Sequence, residues 1–208
     1  MEIQVYALAI DRELTDEERD CLVSILPYAR YQRLIRAKEN RQNQAMCAYG
    51  LLRHALEEQY GLRTLPAIAL CKEGKPVFRD RPEVHFNLSH TDGAVLCAVH
   101  DHPVGVDIER SREAAVALMR YYHIESQDTF WRMWVRREAI AKCHGQGFAV
   151  LPHWDTGLEQ TVDCRSLPML EGFYAAAASA EKGTPMQAHV ITLDEMLKEL
   201  TALPTEGE

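Results

Sequence analysis

The sequence predicts a mixed α/β (α+β) chain made of two similar halves. Two long amphipathic helices, at about residues 40–60 and 126–144, are each followed by short strands. Residues 94–109 and 173–193 share one plan: an alanine-rich strand, a short turn ending in Pro103 or Pro185, and a second strand. No Ser/Gly linker separates the halves, so they should share an interface, where pockets often form. A chain of 208 residues with 47% hydrophobic content suits one domain, or two tightly joined ones, with a sizeable core.

Taken in order, residues 2–10 read as an opening strand, and Thr15-Asp-Glu-Glu18 is a capping box that starts a helix to about Leu26, closed by Pro27. A basic helical stretch, 30–36, leads into the first long helix, which carries Ala45, Ala48, Leu52 and Ala55 on one face and stops at Gly61. Gly74-Lys75-Pro76 has the form of a hairpin turn. Residues 84–88 form a strand, and 94–99 is expected to pair with 104–109 through the His100-Asp-His-Pro103 turn. In the second half the long helix precedes a strand near Gln160, then strands 173–180 and 186–193 on either side of a Glu181-to-Pro185 turn.

Composition narrows the function classes. With 23 basic and 31 acidic residues the net charge is −8, which argues against non-specific nucleic-acid binding and leaves room only for a local basic pocket. The six cysteines, Cys21, Cys47, Cys71, Cys97, Cys143 and Cys164, are scattered without a C-x-x-C pair, so buried free thiols of a reducing compartment are expected. The N-terminus has no basic n-region, and no apolar run approaches the roughly 20 residues of a membrane span. A cytoplasmic protein without membrane contact is the expectation.

Three segments could carry chemistry. Alternation along Val104-Gly-Val-Asp-Ile-Glu109 sets Gly105, Asp107 and Glu109 on one face, with Gly105 leaving space beside the two carboxylates. Paired carboxylates repel, and a hard cation such as Mg²⁺ is the usual remedy. On the second long helix Trp134, Glu138 and Lys142 form one stripe at i, i+4 and i+8, next to the Gly145-Gln-Gly147 stop. Ser89 and His90 enter a turn from a strand end, where hydroxyl, imidazole and backbone N–H groups can meet phosphate oxygens. Plainer readings are a solvent-facing strand, an exposed Glu-Lys pair worth about 0.3–0.5 kcal/mol, and a self-capped turn.

Together and in this order, Gly74-Lys75-Pro76, Phe86-Asn-Leu-Ser-His90, Val104-Gly-Val-Asp-Ile-Glu109 and Trp134 through Glu138-Ala139 to Lys142-Cys-His-Gly-Gln-Gly147 resemble the 4′-phosphopantetheinyl transferases. The likeness is to their larger type, with two halves in one chain. It implies two similar subdomains, 1–110 and 111–208, each a small, mostly antiparallel sheet packed with a long helix and related by pseudo-twofold symmetry. It also implies a monomer that transfers the phosphopantetheine arm of coenzyme A to a serine of an acyl or peptidyl carrier protein, with Mg²⁺, releasing adenosine 3′,5′-bisphosphate.

Carried over, Asp107, Glu109 and Glu138 become the metal-binding carboxylates, with Glu138 or Glu109 as base and Lys142 offsetting phosphate charge. Ser89 and His90 would hold the pyrophosphate and Lys75 the 3′-phosphate. Gln32 stands where the family has a basic residue, so Arg33 or Arg30 would supply that contact, and Arg137 stands where lysine is usual. The stretch from Ser111 to about His123, where family members dock the carrier, is short, and steering would fall to Arg110, Arg112 and Arg120. The competing classes are a Mg²⁺-dependent phosphohydrolase of a nucleotide-like pyrophosphate and a non-catalytic module binding coenzyme A or a carrier.

Overall fold

The computed structural model describes residues 1–72, 74–114, 116–145 and 156–201, so Gln146 and Gly147 lie outside it. Its first half runs β1 (Ile3–Ala9), α1 (Asp16–Ser24), α2 (Tyr28–Leu34), α3 (Glu39–Tyr60), the hairpin β2 (Ile68–Leu70) and β3 (Pro76–Phe78), then β4 (His85–Thr91), β5 (Ala94–His100) and β6 (Val104–Arg110). The second half runs α4 (Val116–Tyr121), α5 (Gln127–Cys143), α6 (Thr156–Glu159), β7 (Asp163–Ser166), β8 (Phe173–Ser179), β9 (Met186–Ile191) and α7 (Leu193–Thr201).

Two sheets stack face to face between α3 and α5. The first has the order β4-β5-β1-β9 and the second β6-β8-β7. Every pairing is antiparallel except β1 with β9. Strand alternation builds the layers: Ile3, Val5, Ala7, Leu96 and Ala98 of the first sheet meet Val104, Val106, Ile108, Ala175 and Ala177 of the second. The intervening residues Tyr6, Leu8, Val95, Cys97 and Val99 point the other way, onto α3. Ala176 and Ala178 likewise back onto Val135, Ala139, Ile140 and Cys143 of α5.

Local signals placed most elements. Thr15 and Glu18 make both bonds of the capping box, and α3 ends in a left-handed Gly61. The long helix is buried from Gln44 to Leu56 rather than along one face, because α1 and α7 cover the side away from the sheet. The strand expected near Gln160 begins three residues later, at Asp163, after a turn closed by Gln160 and Thr161 N–H groups.

The expected pairing of 94–99 with 104–109 does not form. β5 already has β4 on one side and β1 on the other, so no edge is free, and the turn at 100–103 carries the chain across to the second sheet. The second half repeats this: β8 lies between β6 and β7, so β9 leaves for the open edge of β1. Each half thus donates its last strand to the other sheet. All six cysteines are free thiols, and burial pushes those of Cys47 and Cys164 up to about 12. Among the described residues, no helix is long and apolar enough to cross a membrane.

Candidate active site

The two sheets meet edge to edge where β4 lies against β6, and that seam positions the first carboxylates. Alternation turns Asn87, Ser89 and Thr91 of β4 toward β6, while Phe86 packs on the α3 side. Asn87 Oδ1 accepts the Val106 N–H at 2.8 Å and Ser89 Oγ accepts that of Ile108 at 3.3 Å. Side chains here do what a neighbouring strand would do for an edge. Ser89 then donates to Asp107 Oδ1 at 2.8 Å, and Thr91 to Glu109 Oε2 at 3.2 Å.

Helix α5 supplies the other half of the site. Ser126 accepts the Thr129 N–H and caps the helix, whose buried face presents Glu138 and then Lys142 to β6. The contact is close enough that a Cβ on Gly105 would sit 2.1 Å from the Ala139 carbonyl and 2.3 Å from the Cys143 nitrogen. The space expected beside the carboxylates at Gly105 is therefore filled by the helix backbone, not open to a ligand. Lys142 Nζ reaches Asp107 Oδ1 at 2.6 Å, Ser89 Oγ at 3.0 Å and Glu138 Oε2 at 3.7 Å.

Charge is badly balanced here. Asp107 and Glu138 are 3% and 4% exposed and share one ammonium, and Arg112 reaches only Glu109, at 3.1 Å. Burial first, then repulsion from Asp107, raises Glu138 to about 8 against the opposing pull of Lys142. The same two causes raise Glu109. Asp107 Oδ2 is buried with no hydrogen-bond partner among the described residues. An unpartnered carboxylate oxygen inside a three-carboxylate set fits a hard divalent cation, so Asp107, Glu109 and Glu138 could hold one.

A cavity of about 390 Å³ opens beside Lys142, lined by Arg30, Arg33, Tyr49, Lys75, Phe86 and Asn87 among others. Four cations on its wall make it a basic pocket in an acidic protein, suited to phosphate groups. On the opposite flank Glu109, Arg112, Phe130, Trp131 and Trp134 line a smaller hollow of about 300 Å³. Lys142 thus lines the basic cavity and Glu109 the aromatic hollow, while Asp107 and Glu138 are buried behind them. A larger hollow of about 590 Å³ beside β8, lined by Arg132, Leu167 and Tyr174, touches none of these groups.

Curated relatives are similar to this chain in sequence, although no family model matches it. A protein of Bacillus subtilis named 4′-phosphopantetheinyl transferase ffp is 27% identical over 163 residues, 71% of this chain and 73% of that one. The transferase psf-1 of Bacillus pumilus is 35% identical over 113 residues, 48% of each chain, and AcpT of Escherichia coli K12 is 33% identical over 121 residues, 50% of this chain and 59% of that one. The chain is therefore similar to 4′-phosphopantetheinyl transferases, over 71% of its length for the first of these relatives. It is a transferase by class, and the names of these relatives give phosphopantetheinyl transfer as their activity.

The residues singled out in the sequence divide by position. Asp107, Glu138 and Lys142 converge, and Glu109 lies close enough for its charge to act on Glu138 while its own bonds go to Thr91 and Arg112. Ser89 joins them, but its hydroxyl hydrogen goes to Asp107 and its oxygen accepts from Lys142 and Ile108, so it positions those groups and has no bond left for pyrophosphate. His90 turns away to Gln44 Oε1 at 3.1 Å, lowered by desolvation and by Lys142, Arg30 and Arg41. Lys75 does line the basic cavity, yet its Nζ donates to the carbonyls of Val104 at 2.9 Å and Cys143 at 3.2 Å, clasping β6 to the end of α5. Arg33 and Arg30 stand on the same cavity wall. Asn87, Thr91 and Tyr49 were not legible as site residues, although the alternation of β4 puts 87, 89 and 91 on one face.

Proposed function

We propose that this chain transfers the 4′-phosphopantetheine arm of coenzyme A to a serine hydroxyl of an acyl or peptidyl carrier protein and releases adenosine 3′,5′-bisphosphate. The observation that carries the reading is the buried cluster of Asp107, Glu138 and Lys142, with Glu109 beside it on β6, where Lys142 lines a basic cavity and Glu109 an aromatic hollow. The basic cavity would take the nucleotide end of coenzyme A, with Arg30 and Arg33 as phosphate donors. Lys75 would add its remaining N–H. The aromatic side would face the carrier.

Asp107, Glu109 and Glu138 would hold Mg²⁺, which when bound offsets charge on the pyrophosphate oxygens. Lys142 neutralises the charge that grows on the departing bisphosphate, and Ser89 keeps its ammonium in place. Glu138 accepts the serine proton. Raised toward neutrality by burial, it is a stronger base than a free carboxylate and remains deprotonatable near pH 7 to 8. Catalytic groups come from both sides of a boundary at residue 110, so the two halves work as one site. The enzyme would act as a monomer in the cytoplasm.

The test is incubation with coenzyme A, Mg²⁺ and an apo carrier domain, followed by intact-mass analysis of the carrier. Transfer adds the phosphopantetheine mass to one serine. Coenzyme A consumed with no gain on the carrier would make the protein a pyrophosphate hydrolase, and no reaction of either kind would make it a binding module.

A further inference from the structure

The two turns that carry the chain between sheets come together, and they bring four metal-ligating side chains with them. His100 ends β5, Asp101 and His102 follow it in the first turn, and Glu181 opens the second turn after β8. Their ligand atoms all lie within 4.8 Å of one another. Asp101 Oδ1 is 3.0 Å from His100 Nε2 and 3.0 Å from His102 Nδ1, and Glu181 Oε2 is 3.8 Å and 3.5 Å from the same two nitrogens. We propose that these four side chains form a structural Zn²⁺ site that clamps the two crossover turns, separate from the catalytic carboxylates.

Geometry and chemistry both point to this ion. Four-coordinate Zn²⁺ with bonds of about 2.0–2.1 Å to nitrogen and oxygen sets its ligands ~3.3 Å apart, and the four distances fall on either side of that value. Two imidazoles with two carboxylates suit Zn²⁺, whereas Mg²⁺ prefers oxygen alone. Among the described residues, neither Asp101 nor Glu181 pairs with a lysine or arginine; Asp101 Oδ2 is 3.7 Å from the N-terminal ammonium, which leaves Oδ1 to face the two imidazoles. A supporting bond already holds one ligand: Thr184 Oγ1 donates to Glu181 Oε2 at 2.9 Å. Ligation through His100 Nε2 moves the ring proton to Nδ1, so it gives up two bonds, that of the His102 N–H to Nδ1 at 3.2 Å and that of Nε2 to the Met1 carbonyl at 3.0 Å.

Zn²⁺ titration of the whole chain in excess Mg²⁺ tests the site, run on the wild type, on Asp107→Ala to remove a catalytic carboxylate, and on the pair His102→Ala with Glu181→Gln. The side chains of His102 and Glu181 are 50% and 42% exposed, so the pair variant should fold and, with chelator present, melt close to the wild type. The expected result is one Zn²⁺ per chain in the wild type and in Asp107→Ala, at least tenfold weaker binding in the pair variant, and a thermal midpoint raised by Zn²⁺ only where the site is intact. Co²⁺ in its place should give the visible absorption of a four-coordinate ion, lost in the pair variant. Zn²⁺ uptake that disappears in Asp107→Ala, or that is equal in the pair variant, would overturn the proposal.

Discussion

Burial at Glu138 has a thermodynamic sign that can be measured without substrate. Its folded-state value of about 8 lies above the ordinary 4.5, so the folded protein holds a proton that the unfolded chain releases. Stability from this group is complete below about pH 4.5 and is lost as pH rises through about 8. Chelator-treated wild type should therefore lose thermal stability relative to Glu138→Gln across that window, although the substitution abolishes most turnover. Parallel melting curves for the two proteins from pH 5 to 9 would show that Glu138 is not held up. Asp107→Ala should act differently. It removes a repelling charge from a 3% exposed position and so leaves the protein folded, yet transfer should fall ~10²-fold or more, because Oδ2 is the unpartnered oxygen of the carboxylate set. Near-normal turnover in the folded variant would refute the metal-binding role.

At the scale of elements, the contact between β6 and α5 sets the site, and Gly105 sets that contact. A methyl group there meets the α5 backbone at Ala139 and Cys143, which cannot rotate away as a side chain could. Gly105→Ala should cost about 3 kcal/mol or more in urea unfolding, and turnover should fall with it as Asp107 and Glu138 move apart. A cost below about 1 kcal/mol would mean that the helix can shift freely. The elements themselves were largely legible. The capping box at Thr15, the helix stop at Gly61 and the Trp134–Glu138–Lys142 stripe are short-range features, and they stand where the sequence placed them. Helix α7 was readable but missed: Thr192 and Glu195 form a second capping box, and Leu193, Met196, Leu197 and Leu200 recur at helical spacing.

Over the whole molecule, the seam between the sheets rests on polar side chains. Asn87 is 7% exposed and supplies the acceptor for the Val106 N–H, so Asn87→Ala should leave a buried donor unpaired at a cost of about 1–3 kcal/mol. Amide exchange at Val106 should quicken more than at Ala176, which lies on the neighbouring strand away from the seam. Equal protection at both would show that the seam does not depend on this bond.

What the sequence determined by itself is local: the periodicities, the caps, the face shared by Asp107 and Glu109, and the helical stripe that carries Glu138 and Lys142. These depend on spacing along one strand or one helix turn, which residue order fixes. Tertiary structure alone decided which strands pair. Residues 94–99 and 104–109 have the alternation and turn of a hairpin, but β1 takes the edge that the hairpin would need, and an edge occupied from far along the chain leaves no trace in the local pattern. The same cause explains the roles that changed. Ser89 and Lys75 look like purely ligand-binding groups in isolation, but Ser89 became an internal support and Lys75 commits two of its three donors, because β6 and α5, distant in sequence, arrive within bonding distance.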